Sequence, residues 1–218
     1  MDRFIAPSEF VRQTFSESDL EIDATVIPHF VSPMSLVEKE RQDYYLFVGR
    51  LERAKGLHTI IPLFGETKRR LVVIGSGNED ASLRVQAERY STIEFLGRLP
   101  YAELPNFYAR ARAMIVPSIC YETFGLTVLE SLQQQTPAVV SDFGAPREII
   151  QETGGGAVYH DVEELREILE KWDASPALAR AAGMTGFSRL TRYSPSAHLQ
   201  RYFSLIAEVQ RQKGSSHR

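Results

Sequence analysis

The sequence predicts an α/β fold, a Rossmann-like doubly wound parallel sheet. Three observations point there. Short apolar runs recur at 44–48, 70–74, 92–96, 113–116 and 137–141, and segments of helical character alternate with them. The runs are apolar nearly throughout rather than alternating, as in strands covered on both faces. Several of them end on a glycine: Gly49, Gly75 and Gly97. In open sheets of this class ligands bind at such strand ends.

Taken in order, residues 2–6 are short and mixed and are assigned no element. Ser8 is placed to cap a helix over 8–15. The stretch 16–23 is polar and acidic. Asp19, Glu21 and Asp23 alternate as in an acid-x-acid metal motif, but no strand runs into them, so they read as a solvated loop. A short strand is expected at 25–28, with Pro33 marking a connector. Strand 44–48 is followed by a helix over 57–64, which Pro62 should kink or shorten. After strand 70–74 come an amphipathic helix over 79–90, strand 92–96, a helix over 101–112 with Pro105 early in it, and strand 113–116. A helix starts at Leu126 and is followed by strand 137–141. Then come a turn and strand over 154–159, a helix over 161–172 and one over 176–190. Tyr193-Ser194-Pro195 breaks that last run. A final helix covers 196–210, and the tail from Lys213 reads as frayed.

Composition narrows the function classes. Of 218 residues, 43% are hydrophobic and 24% charged, ordinary for a globular protein. The net charge of −3 carries no basic excess, which argues against nucleic acid as a partner. The single cysteine, Cys120, excludes an internal disulfide and fits a reducing compartment; it reads as a small buried thiol. No apolar run reaches membrane-spanning length, and the start lacks a signal-peptide pattern. The expected location is cytoplasmic, or peripheral to a membrane as part of a larger protein. The five histidines show no metal-ligand spacing, so no metal is expected.

Two stretches carry chemistry. In Pro117-Ser-Ile-Cys-Tyr-Glu122-Thr-Phe124-Gly125-Leu126-Thr127-Val-Leu-Glu130, a strand leads through a loop carboxylate and a glycine into a helix. The first N–H groups of a helix lack internal partners, and its dipole is positive there, so phosphate can dock. Gly125 leaves room for close approach. Glu130 lies three positions after Thr127, on the same face and tilted back toward the helix start. Two carboxylates flanking an anion site suit a sugar joined to a diphosphate. The second stretch is Gly49-Arg50-Leu-Glu-Arg-Ala-Lys55-Gly56 after strand 44–48. Gly49 permits a turn with positive φ. Arg50 can grip phosphate oxygens in a fork, and Lys55 adds a point charge. Arg53 reads as a solvated surface charge.

Glu122, seven residues, then Glu130, with Phe124-Gly125 between them and the Gly-Arg…Lys-Gly run upstream, resembles the retaining glycosyltransferases of family 4. The resemblance spans about 26–210. It implies one half of a GT-B fold. Residues 1–33 then correspond to a remnant of the N-terminal acceptor domain and the interdomain linker. Residues 34–192 correspond to the nucleotide-sugar donor-binding domain, and 193–218 to a helix crossing back, with its tail. It implies transfer of a hexose from a UDP-, GDP- or ADP-sugar to an acceptor hydroxyl, without a metal or other cofactor. Arg50, Lys55 and Glu122 would be catalytic. Gly49, Gly75, Gly77, Arg98, Phe124, Gly125, Leu126, Thr127 and Glu130 would bind donor, with Arg98 bordering the base. Pro28 is followed by His29-Phe30-Val31 where many relatives have a glycine, and Ala145 stands where they carry the second of two glycines. An N-terminal acceptor domain or a separate subunit is the implied partner, and the isolated chain is expected to transfer sugar poorly.

Two other classes fit parts of the sequence. A non-catalytic nucleotide-sugar module, or a subunit of a split transferase, would need Arg50, Lys55 and Glu130 but not Glu122. A nicotinamide-dependent oxidoreductase would use Gly75-Ser-Gly77, although position 80 is Asp rather than the third glycine of that fingerprint.

Overall fold

The runs apolar on both faces become the centre of a six-stranded parallel sheet in the computed structural model, which describes residues 3–18, 22, 24–38 and 40–215. Its strands are β3 (Tyr45–Val48), β4 (Leu71–Ile74), β5 (Ile93–Gly97), β6 (Ala113–Val116), β7 (Ala138–Ser141) and β8 (Gly156–Tyr159). They lie in the order β5-β4-β3-β6-β7-β8. Alternate residues of β3 face opposite layers. Tyr45 and Phe47 pack with α2 (Leu57–Glu66), α3 (Asp80–Ala87) and α7 (Val162–Ala174). Leu46 packs with α4 (Leu104–Arg110), α5 (Leu126–Gln133) and α6 (Pro146–Thr153). The expected doubly wound sheet is therefore present.

Pro62 does not break α2. Proline has no N–H for the carbonyl four residues back. That carbonyl, of His58, accepts instead from Gln86 Nε2 at 2.8 Å, so the helix runs through to Glu66. Pro105 does divide the helix expected over 101–112. It cannot donate to Tyr101, and the Leu104 N–H takes that carbonyl in a 3-10 turn before α4 begins.

Ahead of the main sheet lies a separate parallel pair, β1 (Phe4–Ala6) and β2 (Ala24–Val26), joined by α1 (Glu9–Ser16). The strand at 4–6 was not expected from the sequence. The acidic loop residues Asp19, Glu21 and Asp23 lie outside the described residues. Gln133 and Gln134, at the end of α5, fasten the connector. Gln133 accepts from Met34 N–H at 2.6 Å and donates to Ser32 O at 3.1 Å. Gln134 bonds Val37 N–H and Ser35 O in the same way.

After α8 (Pro176–Ser188), Pro195 opens α9 (Pro195–Ser215), which runs further than the expected 196–210. It returns toward the start of the chain. His198 Nδ1 lies 2.7 Å from Pro28 O, and Arg3 pairs with Glu208 at 3.2 Å.

Candidate functional site

The sheet order reverses beside β3, whose crossover helix α2 packs on one face while α5, after β6, packs on the other. The loops leaving β3 and β6 therefore part and leave a crevice outside the strand ends. Both chemistry-bearing stretches lie here.

Lys55 ends a 3-10 turn, Arg53–Lys55, in the loop after β3. Its Nζ meets Glu122 Oε1, from the loop after β6, at 3.0 Å, with both side chains largely buried. Two backbone features hold these loops together. The Ile119 N–H donates to Ala54 O at 3.0 Å. Gly56 sits at φ 71°, where a Cβ would lie 1.7 Å from Pro117 O. A side chain at 56 would thus force the loops apart and strain the turn.

The second oxygen of Glu122 is also engaged. Ser118 Oγ donates to Oε2 at 2.6 Å. Ser118 is only 1% exposed, and its carbonyl accepts from Ser141 Oγ at 2.6 Å. The loop after β7 supports the Glu122 backbone, with Ala145 N–H donating to Glu122 O at 2.9 Å. Ser118 was not read as a site residue. Four residues apart in a loop, it and Glu122 carry no pattern that says they touch.

Gly125 precedes α5 at φ 108°. Val128 N–H donates to Gly125 O at 3.0 Å, and the N–H groups of Leu126 and Thr127 lie ahead of that bond at the helix start. Glu130, on the same helix, accepts from Tyr108 OH at 2.8 Å. Burial raises its pKa, and the phenols of Tyr108 and then Tyr101 oppose the rise. Tyr108 is itself pushed up, by burial first and then by the Glu130 charge.

Other expected site residues are placed differently. Arg50 is 72% exposed and pairs with Glu52 at 2.8 Å, and no described contact joins it to Lys55 or Glu122. Gly49 does not use the positive φ open to a glycine. Gly75 and Gly77 serve chain packing: a Cβ would lie 1.8 Å from Gly49 O and 2.2 Å from Leu51 O respectively. Close backbone approach accounts for both glycines, so they are not evidence of a nicotinamide loop. Phe124 is 5% exposed, wedged between His29 and Tyr193 at ring distances of 5.2 and 6.0 Å, and so braces the loop from within. His29 has its pKa lowered, by burial first and then by His198. Arg98 is exposed on the turn after β5, and Leu126 is exposed beside the crevice. Cys120 is partly exposed rather than buried.

The sequence reading also missed a brace from the first segment of the chain. Ser8 Oγ donates to Thr123 O at 3.0 Å, and the Phe10 ring meets Tyr121 edge-on at 5.2 Å. Glu148, in the first turn of α6, accepts from the N–H groups of Glu9 (3.0 Å) and Phe10 at the start of α1. Among the described residues, no group of three or more His, Cys, Asp or Glu side chains is arranged to hold a metal.

The sequence profile of the family described as Glycosyl transferases group 1 matches residues 32–188. The chain belongs to that family. This group 1 glycosyl transferase chain is 33% identical to the glycogen synthase of Mycobacterium tuberculosis (strain H37Rv) over 156 residues, covering 67% of the chain and 37% of that protein. Its fold is similar to that of sucrose-phosphate synthase from Thermosynechococcus elongatus, with a TM-score of 0.81 at 19% identity, over 95% of this chain and 58% of that one. It is also similar to Anabaena HepE in complex with UDP and glucose, with a TM-score of 0.81 at 17% identity, over 94% of this chain and 62% of that one. These solved neighbours are GT-B glycosyltransferases. The group 1 chain thus spans little more than a third of that glycogen synthase.

Proposed function

We propose that the chain is the donor-binding half of a retaining glycosyltransferase. It takes a hexose from a nucleoside diphosphate sugar and passes it to an acceptor hydroxyl on a lipid, polysaccharide or small molecule. The Lys55–Glu122 pair carries this reading. It sets a cation and a carboxylate from two diverging loops against each other at the sheet's reversal point, with Glu122 four residues before the start of α5. HepE, a protein of this fold, is in complex with UDP and glucose, which supports a nucleotide sugar as the ligand class.

On this reading, donor diphosphate takes the place of Glu122 as the partner of Lys55. The Leu126 and Thr127 N–H groups meet the same charge. Arg50 swings from Glu52 to join them; exposed pairs of this kind hold little energy. Negative charge grows on the diphosphate as the glycosidic bond breaks, and these groups stabilise it without a metal. Glu122, released from Lys55, faces the sugar and favours positive charge at the anomeric carbon. Glu130 takes the ribose hydroxyls. The acceptor attacks from the face the leaving group departs, which retains configuration.

The acceptor would bind a second domain or subunit, docked on the short β1–β2 sheet and on α9. Phe4, Ile5, Leu199, Tyr202 and Phe203 are exposed there. The compartment on this reading is the cytoplasm, with the complete enzyme at a membrane surface where its acceptor is a lipid. Among the described residues, no helix is long and apolar enough to cross a membrane.

The test is thermal unfolding with UDP, GDP, ADP and their common hexose conjugates. A ligand at a hundredfold excess over its Kd adds about 2.7 kcal/mol. For a domain of this size that moves the midpoint by roughly 5–10 °C. No shift with any of them at millimolar concentration refutes the donor site.

A further inference from the structure

We infer that Ser118 is a positioning residue for Glu122, and that through it the site distinguishes a nucleotide sugar from the bare nucleotide. The inference rests on the donor reading above.

The geometry is specific. Glu122 sits in a loop, where a carboxylate on a flexible stem would sample several rotamers. Its two oxygens are held by different partners, Lys55 on Oε1 and Ser118 on Oε2. Lys55 is the group that a diphosphate takes over. Once it does so, Ser118 is the remaining side chain that fixes the carboxylate. The hydroxyl is well placed for this, because Ser118 itself cannot drift. It directly follows Pro117, whose carbonyl abuts Gly56. Its own carbonyl is tied to Ser141, at the end of the neighbouring strand β7. Its hydroxyl is buried, and its hydrogen goes to the carboxylate. An ionised carboxylate accepting from a hydroxyl makes a strong bond that also sets the direction of the free lone pairs. Those lone pairs then point to where the sugar hydroxyls arrive.

Ser118 therefore acts on the sugar end of the donor and not on the nucleotide end. Ser118→Ala should leave the Kd for UDP, GDP or ADP within about twofold of the parent. It should weaken the matching nucleotide sugar, for example UDP-glucose against UDP, by about fivefold to tenfold. A general loosening of the fold would weaken both alike. A double-mutant cycle separates the cases further. In a Glu122→Ala background, Ser118→Ala should change the sugar-to-nucleotide ratio no further.

Isothermal titration of the parent, the two single variants and the double variant reads all of these quantities. Ser118→Cys is nearly isosteric and a weaker donor. It is the substitute if the alanine variant does not fold, and should show the same selective loss at smaller size. Equal losses for nucleotide and nucleotide sugar, or an additive cycle, overturn the role of Ser118. A parent chain that binds no nucleoside diphosphate overturns the donor reading itself, and this inference with it.

Discussion

Replacing Glu148 by alanine should loosen α1 without unfolding the sheet. The carboxylate accepts from the N–H groups of Glu9 and Phe10, two of the donors a helix start leaves free. The N–H of Val11 is taken by Ser8 Oγ, so the variant strands only the first two. Hydrogen bonds to a charged group contribute about 1.5–3 kcal/mol when shielded. The Glu9 bond is exposed, and water replaces it at little cost. The Phe10 bond is partly buried and keeps most of its worth. A carboxylate near a helix start adds about 0.3–1 kcal/mol. Against this, burial already raises the Glu148 pKa, with the two N–H bonds opposing it, so deleting the charge returns part of the loss. The net is about 1.5 kcal/mol, roughly tenfold in the local opening equilibrium. Amide hydrogen exchange reads it directly. Phe10 and Val11 should exchange about ten times faster, while the amides of β3 and β6 keep their rates. Unchanged exchange at Phe10, or equal acceleration throughout the sheet, would refute the reasoning.

Two further outcomes follow from single residues. Burial raises the Glu130 pKa above its ordinary 4.5. The folded form then holds its proton to higher pH than the unfolded chain, so ionisation opposes folding above the folded pKa and costs nothing below the unfolded one. Glu130→Gln should raise the melting temperature at pH 7–8 by about 2 °C or more, lose that gain near pH 4, and weaken nucleoside diphosphate binding; a gain that persists unchanged at pH 4 contradicts the burial argument. Gly56→Ala meets both a φ of 71° and the Pro117 carbonyl, and should cost about 3 kcal/mol or more in urea unfolding; an unchanged midpoint would mean the two loops are not in contact.

Strands β3, β4, β6 and β7 could be read because both faces are covered, which makes each a continuous apolar run. Strand β1 could not. It has three residues, two of them exposed, and so makes no continuous apolar run. Pro62 misled because the group that repairs its helix, Gln86, comes from α3. Lys55 and Glu122 were legible because strand, glycine and charge follow one another locally. Arg50 has the same local context, yet it turns to Glu52 two positions away. Ser118, Tyr108 and Glu148 were silent, and Ser8, legible as a helix cap, gave no sign of its bond to Thr123. Each acts through a hydrogen bond whose partner only folding brings near, and a serine or tyrosine has no period to betray it. Gly75 and Gly77 show the converse. The glycines were visible, but their cause, a neighbouring backbone, was not.

The loop that bears Glu122 has little structure of its own, and its position is set from several directions. Lys55 reaches it from the β3 crossover, Ser118 from its own strand end, Ala145 from beyond β7, and Ser8 from the first segment. On the proposed reading this arrangement imposes an order. While Lys55 holds Oε1, Glu122 is neutralised as a partner for sugar hydroxyls. Diphosphate must claim Lys55 before the carboxylate can be read. Sugar recognition is then conditional on nucleotide binding, although the two groups of atoms need never touch. A free hexose should give no protection of residues 121–124 from hydrogen exchange when added alone, and measurable protection when the cognate nucleoside diphosphate is already bound. Protection by the hexose alone, equal in both cases, would show that the Lys55–Glu122 pair does not stand between the sugar and its site.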